Sequence, residues 1–372
     1  MILHKYISHS STSYIFLNAH ERVLVHPTLY LRHLQKHNRS QQSQKHIANV
    51  LNLYCKWIEE NDAFVGVDID SALVSILDGD ILDWLGYQRA KGTSEATINN
   101  REVLVREFYR WLTSADGGRV CQNIPWGRRT FTRSPHRRLP RFVTAEQVTR
   151  LLKGLHNESQ RVATHFMYDT GIRVSELVRL SCNALPNESD WPDEVNYYPL
   201  LIPGSKPYDG SKFKYRFTII SRPMLARVRR YHSSARYTLV KGWGVFEPEK
   251  PMFLTTHGRP LTIDSVQKAI KAAWTRQGGS EREMSPHRLR HGTAFSVLQS
   301  EFGKELLDKM LVLKSILGHS NISTTEIYSA IPITALQSLK GKRHVRFEEA
   351  QRIYEDTYLP ERSHKERRGH TI

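Results

Sequence analysis

Five residues between positions 173 and 328 have the chemistry needed to break a phosphodiester bond. Tyr328 can supply a phenol nucleophile, and it lies nine positions after His319 (328 − 319 = 9). Arg173 and Arg290 carry guanidinium groups, which stay charged at any working pH and bind two phosphate oxygens at once. His287, three residues before Arg290, can move a proton. Because two arginines could neutralise a phosphate under attack, the set favours covalent DNA breakage by tyrosine without a metal ion.

The helices predicted around these residues decide how they could meet. Ser285, followed by a proline, is a suitable start for a helix. His287 and Arg290 would then project from one face of that helix toward the same point. A capping box that begins at Ser323 predicts a second helix. Tyr328 would lie on this short separate helix, from which its hydroxyl could reach the phosphorus.

The chain carries a large excess of positive charge, which points to a polyanionic partner. Its 372 residues include 54 Lys and Arg against 37 Asp and Glu, a formal net charge of +17. Each phosphate that such a surface neutralises releases condensed counterions, so nucleic acid is the leading partner. A basic surface that only keeps the protein in solution is the plainer alternative. The basic residues cluster, however, with six arginines in residues 127–143, and this clustering favours a DNA footprint.

The distribution of apolar residues predicts two domains joined by this basic segment. In residues 41–126 the apolar side chains recur at helical spacing, which indicates a compact helical domain. Residues 127–143 hold too few apolar groups to fold alone, so we expect an extended linker that can follow a phosphate backbone. Residues 1–40 form an extension of uncertain role, in which 14–16 and 23–25 could pair as short strands.

A capping box that begins at Thr144 opens the second domain, which we expect over residues 144–335. Within it, residues 197–202 and 215–220 are rich in strand-forming residues and predict a hairpin with a long tip. The rest is expected to be helical. Residues 336–372 are expected to form a C-terminal helix followed by a mobile basic tail. The predicted fold class is therefore mainly α with a small antiparallel β-sheet.

Two further features exclude other classes of protein. No run approaches the roughly 20 apolar residues that cross a bilayer, and no secretory signal is visible, so a cytoplasmic protein without membrane contact is expected. Cys55, Cys121 and Cys182 are odd in number and widely spaced. This spacing fits neither a zinc site nor a disulfide framework, so ordinary reduced cysteines are expected.

Three motifs, in this order, resemble those of the tyrosine recombinase (phage integrase) family. Residues 170–177 resemble its first arginine box and read TGIRVSEL. Residues 286–294 resemble its His-x-x-Arg box and read PHRLRHGTA. Residues 317–328 resemble its nucleophile box, beginning LGHS and ending TEIY. The resemblance covers about residues 144–330 by motif, whereas the helical region before it is similar to the family's core-binding domain only in general character.

The resemblance implies a role for each of the five residues. Tyr328 would attack a DNA phosphodiester, form a 3′-phosphotyrosyl link and release a 5′-hydroxyl. Arg173 and Arg290 would hold the non-bridging oxygens, while His287 and His319 would hydrogen-bond the phosphate or assist proton transfer. Because the phosphotyrosyl ester conserves the bond energy, rejoining would need no ATP, metal or other cofactor.

The resemblance also implies an architecture and an assembly. A helical core-binding (SAM-like) domain and a mixed α/β catalytic domain would form a C-shaped clamp around duplex DNA, completed by the basic linker. A homotetramer would act on paired recombination sites through a Holliday junction, and other recombinases could join it. Integration, excision, inversion and dimer resolution are all compatible with this, and the chain could belong to a mobile genetic element.

The acid that protonates the leaving 5′ oxygen would be a lysine of the hairpin. Lys206 directly follows the first predicted strand and matches the family's usual position, so it is the preferred candidate. Lys212 and Lys214, beside the returning strand, remain alternatives. Glu176, three residues after Arg173, would orient another side chain of the site.

Two other functions share parts of this pattern. A DNA-binding or architectural protein could keep the fold after losing cleavage, but it would have no need of a poised tyrosine. A type IB topoisomerase shares the chemistry but fits the order and spacing of the boxes less well. The complete set of two arginines, two histidines and Tyr328 therefore favours an active recombinase.

The apolar residues between 331 and 358 give one more hypothesis. They suggest a helix that docks on a neighbouring protomer, as in the family, and so couples activity to assembly. The residues concerned are Leu336, Leu339, Val345, Phe347 and Ile353.

Overall fold

The chain folds into two compact units, an N-terminal unit of Met1–Arg137 and a C-terminal unit of Arg138–Ile372. The computed structural model describes residues 2–8, 11–127, 129–133, 142–192, 195–209, 212–240, 242–244, 249–280, 284–300, 306–318 and 346–360. Within these residues both units are mainly helical, and each has one two-stranded antiparallel sheet. The predicted mainly α class with small antiparallel sheets is confirmed, while the clamp stays a prediction.

The N-terminal unit begins with a β-hairpin, which is followed in sequence by a set of helices. Its elements are β1 (Ile2–Ser8), β2 (Ser11–Leu17), α1 (Val25–Lys36), α2 (Gln41–Glu60), α3 (Ile69–Ser75), α4 (Asp78–Ala90) and α5 (Glu95–Thr113). Polar side chains begin several helices by accepting backbone N–H bonds, as Ser40 does for α2 and Ser94 for α5. The apolar stripes of the helices meet around Tyr54, Trp84 and Phe108, which are almost fully buried.

The first strands differ from the sequence prediction. β2 pairs with β1 over seven residue pairs, from Ile2 with Leu17 to Ser8 with Ser11. Val23 contributes only an isolated bridge to Leu17, since α1 begins two residues later. The predicted pairing of 14–16 with 23–25 is therefore wrong in its second strand. Phe16 is fully buried in the core of the helical unit, so this segment braces the helices.

The described ends of the predicted linker are packed rather than extended. Glu102 on α5 is fully buried, and its carboxylate accepts hydrogen bonds from the Trp126 indole (3.0 Å), the Phe131 amide (2.6 Å) and the Thr132 amide (2.9 Å). A buried carboxylate must be satisfied in this way, and the chain after α5 is held as a result. At the other end, Val143 is buried in the core of the C-terminal unit. Residues 134–141 lie outside the described residues.

The C-terminal unit surrounds its hairpin with helices. Its elements are α6 (Ala145–Lys153), α7 (Glu158–Thr170), α8 (Val174–Leu177), β3 (Tyr197–Asp209), β4 (Lys212–Ser221), α9 (Arg222–His232), α10 (Ala235–Thr238), α11 (Ile263–Arg276), α12 (Pro286–Gln299), α13 (Leu306–Leu317) and α14 (Arg346–Thr357). The predicted cap at Thr144 is confirmed, because its hydroxyl accepts from the Gln147 amide at 3.3 Å. The cap at Ser285 is confirmed in the same way, through the Arg288 amide.

The hairpin is longer than its predicted strands. β3 and β4 continue to Asp209 and Lys212, so the long tip expected between residues 202 and 215 is wrong. The pairing shifts register between Pro203 and Pro207 and again before Asp209. Proline cannot donate to the ladder, which accounts for irregular pairing at this end.

Helix α14 packs against α6, α7 and α9 of its own unit. Ile353 is fully buried in the core, and Tyr168 on α7 donates its hydroxyl to Glu349 at 2.6 Å. Arg227, fully buried on α9, donates to the hydroxyl of Thr357 at 2.9 Å. The prediction that this helix docks on a neighbouring protomer is therefore wrong for Ile353, which is buried within its own unit, whereas Phe347 is half-buried. The residues of that prediction before position 346 lie outside the described part.

The three cysteines form no disulfide among the described residues; Cys55 and Cys121 are buried and Cys182 is half-buried. Within the described part of the chain, no helix has both the length and the apolar run that crossing a membrane requires.

Candidate active site

A sharp turn at Gly171 brings the first arginine motif against two other helices. Gly171 ends α7 in the left-handed conformation, with φ of 65°, and its amide donates to the Met167 carbonyl at 3.0 Å. A Cβ at this position would lie 3.0 Å from side-chain atoms of both Thr293 on α12 and Leu317 on α13. Glycine is therefore needed for the backbone angle and for the close approach. The turn places α7, α12 and α13 in contact. Each of these helices carries part of one of the three motifs.

Arg173 lies directly after this turn, where it begins α8. Its amide donates to the Glu176 carboxylate at 2.8 Å, and its guanidinium Nη1 is 3.2 Å from the other carboxylate oxygen. The Arg173 side chain is 38% exposed. The guanidinium is thus oriented by a fixed anion while part of it faces solvent, a position from which it can bind a phosphate.

Glu176 is fully buried, and it binds a second arginine that sequence reasoning missed. Arg216 on β4 donates to Glu176 from Nη2 at 2.9 Å and from Nε at 3.3 Å. Burial by itself would raise the pKa of Glu176, but hydrogen bonds and charges from Arg216 and Arg173 outweigh it and lower the pKa overall. The available signal was an arginine inside the strand-forming run of residues 215–220, which marks a charge in a strand but does not identify its partner. Glu176 therefore stays ionised and fixes two cations.

β4 also holds the end of α13 beside this ion pair. Arg216 Nη1 donates to the Ile316 carbonyl at 2.7 Å. The Thr218 hydroxyl lies 2.8 Å from the Thr170 carbonyl and 3.2 Å from the Ile316 carbonyl. These bonds satisfy carbonyls at the ends of α7 and α13. The start of the nucleophile motif is thereby held next to the first arginine motif.

Arg290 connects all three motifs through backbone carbonyls. Its Nη1 donates to the Gly171 carbonyl, and its Nη2 donates to the Leu317 carbonyl. Gly171 belongs to the first arginine motif, and Leu317 is the first residue of the nucleophile motif. The residue is only 2% exposed. Arg290 therefore acts as a crosslink between chain segments that are distant in sequence.

His287 lies one turn before Arg290 on α12. Although the residue is exposed, protein atoms surround enough of its ring that partial desolvation lowers its pKa, and the charges of Arg290 and Arg173 lower it further. The imidazole is therefore neutral near pH 7. The structure brings Arg173, His287 and Arg290 close enough to interact electrostatically, although they come from two motifs more than a hundred residues apart in sequence.

The other predicted site residues are described only in part. Tyr328 and His319 lie outside the described residues. Lys206 lies on β3 and Lys212 on β4, where the structure describes their backbone alone. Lys214, the third lysine candidate, is exposed on β4. Among the described residues, the one group of three potential metal ligands lies in the N-terminal unit, not beside the arginines.

Comparison with known sequences gives a consistent set of relatives. The sequence profile of the phage integrase family matches residues 141–332. Tyrosine recombinase XerD of Oceanobacillus iheyensis is 28% identical over 271 residues, which cover 72% of this chain and 82% of the relative. Tyrosine recombinase XerD of Lacticaseibacillus casei is 32% identical over 259 residues, which cover 68% of this chain and 78% of the relative.

Comparison with solved structures gives the same fold. The Tn1549 transposon integrase in complex with circular intermediate DNA matches with a TM-score of 0.58 at 16% identity, covering 86% of this chain and all of that one. The site-specific recombinase XerH bound to its difH substrate matches with a TM-score of 0.56 at 16% identity, covering 84% of each chain. At this identity the likeness concerns the fold.

Proposed function

This chain belongs to the phage integrase family, and from that membership we propose that it is a site-specific tyrosine recombinase that cuts and rejoins double-stranded DNA. Relatives named as tyrosine recombinases support the activity, and the structural neighbours include recombinases bound to DNA. One observation carries the proposal for this chain. Arg290 donates to carbonyls of both the first arginine motif and the nucleophile motif, so three separate stretches of sequence meet at one guanidinium.

In the proposed reaction the Tyr328 hydroxyl attacks a phosphodiester of one DNA strand. A Tyr Oη–P bond forms as the P–O5′ bond breaks, so the strand is held as a 3′-phosphotyrosyl ester and a free 5′-hydroxyl is left. The leaving oxygen takes a proton from a general acid. A 5′-hydroxyl of another strand then attacks the ester and releases the tyrosine. Each step exchanges one phosphodiester bond for another, so no ATP is required.

The two arginines would stabilise the charge on the phosphorus during transfer. Arg173 suits this role in the free chain, because Glu176 orients it and part of it faces solvent. Arg290 is almost inaccessible, so its phosphate contact requires a change on DNA binding. We propose that the phosphate replaces the Leu317 carbonyl on Nη2, because a charged acceptor binds a guanidinium more strongly than a neutral carbonyl. Phosphate binding would then release the segment that carries Tyr328.

His287 is neutral near pH 7 before DNA binds, since desolvation and the charges of Arg290 and Arg173 lower its pKa. A neutral imidazole can both donate to a phosphate oxygen and accept a proton, which fits a role in positioning or in proton transfer. We assign His319 a parallel role from its place in the nucleophile motif. Lys206 remains our candidate for the acid that protonates the leaving 5′ oxygen, with Lys212 and Lys214 as alternatives.

The proposed assembly is a homotetramer on paired DNA sites, acting through a Holliday junction, with other recombinases as further partners. The net charge of +17 supports binding to the long phosphate surface that such sites present. Both units and the basic segment between them would contribute positive charge to the surface that binds this DNA. We therefore expect binding to weaken steeply as salt is raised.

The decisive experiment uses a nicked suicide substrate, in which the released 5′-hydroxyl fragment diffuses away and the covalent adduct accumulates. The DNA is first mapped by nuclease protection on either side of the encoding gene. The wild-type chain should form an adduct on a denaturing gel, and Tyr328→Phe should form none while binding DNA as before. Tyr215→Phe, which alters an exposed tyrosine of the same unit, is the matched control and should still form the adduct.

The same experiment separates the alternatives. A wild-type chain that binds its site but never forms an adduct would be the catalytically silent DNA-binding protein. An adduct that persists in Tyr328→Phe would overturn the assignment of the nucleophile. Relaxation of plasmids that lack the mapped site, at the same rate as those that contain it, would instead indicate a topoisomerase.

A further inference from the structure

The end of helix α1 carries two histidines that meet a carboxylate from another part of the N-terminal unit. His33 lies in the last turn of α1, and His37, four residues later, is the residue directly after the helix. The two rings lie 4.2 Å apart between centroids. Asp116 lies in the turn that follows α5. One ligand atom from each of the three residues lies within 4.8 Å of the others. His33 is half-buried, whereas His37 and Asp116 are exposed.

The hydrogen bonding of His37 prepares its ring to bind a metal ion. Its Nδ1 lies 2.9 Å from the backbone carbonyl of His33. A carbonyl can only accept, so Nδ1 carries a proton, and in the neutral ring the lone pair is then on Nε2. Metal-bound histidines commonly have this arrangement, in which the second ring nitrogen donates to a carbonyl and fixes the tautomer.

The surroundings of His33 hold its imidazole in place. Its ring stacks on Tyr30 at 6.5 Å between centroids and contacts Trp111 at 5.8 Å. The rings of His33 and His37 lie 4.2 Å apart between centroids. Packing against Tyr30 and Trp111 therefore holds the His33 ring beside His37 before any ion binds.

The turn that carries Asp116 is held tightly against α5. A Cβ on Gly117 would lie 2.0 Å from the Trp111 carbonyl oxygen, so only glycine lets the chain pass this close. The Arg119 amide also donates to the Ser114 carbonyl at 3.0 Å. The carboxylate is therefore presented from a constrained backbone, while its own exposed side chain can still rotate.

We propose that His33, His37 and Asp116 bind one divalent transition-metal ion, best matched by zinc, which fastens the end of α1 to the turn after α5. Two imidazole nitrogens and one carboxylate oxygen form a ligand set that zinc accepts, and water can fill the remaining position. Neighbouring ligands of tetrahedral zinc lie about 3.3 Å apart, given metal–ligand distances of about 2.0 Å. The ligand atoms of the three residues lie within 4.8 Å of one another. Small rotations of the exposed His37 and Asp116 side chains would bring them to the spacing that zinc requires.

Two features work against tight binding. The positive charge of Lys36 acts on His33, and the same charge repels a cation. Three ligands also bind more weakly than the four of a closed structural zinc site. The ion is therefore expected to strengthen a unit that already has its own core, and α1 should remain folded without it. The competing explanation is that His33 only packs against Tyr30 and Trp111.

Cobalt is a useful probe because, unlike zinc, its tetrahedral complexes absorb visible light. The full-length chain, freed of metal by chelation, is titrated with Co²⁺ and then with competing Zn²⁺. We expect a visible band that zinc removes, together with a zinc-dependent rise in Tm. His37→Gln and Asp116→Asn should each weaken Co²⁺ binding by more than about tenfold, since even the loss of a group that only orients a ligand costs that much. His46→Gln, at an exposed histidine on α2, is the matched control and should bind as the wild type does.

Each contrary result overturns the proposal. Binding that is unchanged in His37→Gln and Asp116→Asn would show that the ion lies elsewhere. The rings of His287 and His291 also lie close, at 4.4 Å between centroids on α12. A cobalt band that is lost in His291→Gln but kept in both site variants would assign the ion to that pair. A thiolate-to-cobalt band would assign it to a cysteine, and a wild-type chain with neither a band nor a Tm shift would leave only the packing role of His33.

Discussion

Arg216 on β4 forms a two-pronged ion pair with Glu176 on α8, at 2.9 Å and 3.3 Å, although forty residues separate them in sequence. The Glu176 side chain is fully buried and that of Arg216 is 16% exposed. Glu176 in turn orients Arg173, which is proposed to bind the scissile phosphate. The hairpin thus positions Arg173 through a shared carboxylate rather than by direct contact.

The first prediction removes the cation of this pair. Arg216→Met keeps much of the side-chain volume but leaves Glu176 with Arg173 as its remaining cationic partner. Breaking a buried pair from one side costs about 3 kcal/mol or more, because a charge stays buried with less compensation. The free energy of unfolding of the C-terminal unit, measured in urea, should fall by that amount. A loss below about 1 kcal/mol would show that solvent or Arg173 compensates for the missing guanidinium.

The second prediction concerns the pH dependence of stability that Glu176 contributes. Its pKa is lower in the folded chain than the value of about 4.3 expected when unfolded, so its contribution is fully present above that value. It should be lost as the pH falls below about 4.3 and through the lower folded pKa. Glu176→Gln should lose this part of the acid dependence. Urea midpoints measured for both chains between neutral and acid pH should therefore converge as the pH falls, and a constant difference would contradict the prediction.

The third prediction tests the close approach at Gly171. Gly171→Ala forces alanine into a left-handed conformation, at about 1 kcal/mol or more, and also presses on Thr293 and Leu317. Gly92→Ala is the matched control, since Gly92 has φ of 75° and a methyl group added there would have no atom within 4 Å. The Gly171 variant should be less stable than the control by about 1 kcal/mol, the cost of overpacking. Its DNA cleavage should also fall, whereas the Gly92 variant should cleave normally.

The fourth prediction concerns the protonation of His287. Its lowered pKa means that the ring is neutral above about pH 6.5 and gains a proton only below that value. If the neutral ring acts in cleavage, single-turnover adduct formation should be level above about pH 6.5 and fall at lower pH. His287→Gln should be slower by about a hundredfold and should lack this fall. The same acid decline in the glutamine variant would assign it to another group.

The local elements of the site followed from the sequence. Ser285 was predicted to begin a helix that carries His287 and Arg290 on one face, and Thr144 to begin another, and both helices form with those caps. Caps and side chains three or four residues apart interact within one helical turn, so their effects can be read from neighbouring residues. The mainly helical class followed from the same local patterns, whereas the three ordered motifs were identified by their resemblance to the family.

Contacts between distant segments were decided by the tertiary structure. The sequence did not indicate that Arg216 binds Glu176, that Arg290 is buried against the carbonyls of Gly171 and Leu317, or that Ile353 packs in its own unit. Burial removes a charge or an apolar face from water, and the partner that compensates can come from any part of the chain. Residue types and local spacing therefore determined which chemistry this protein carries. The tertiary structure decided which groups orient the reactive residues. Only folding brings segments that are distant in sequence to the carboxylate of Glu176 and the guanidinium of Arg290.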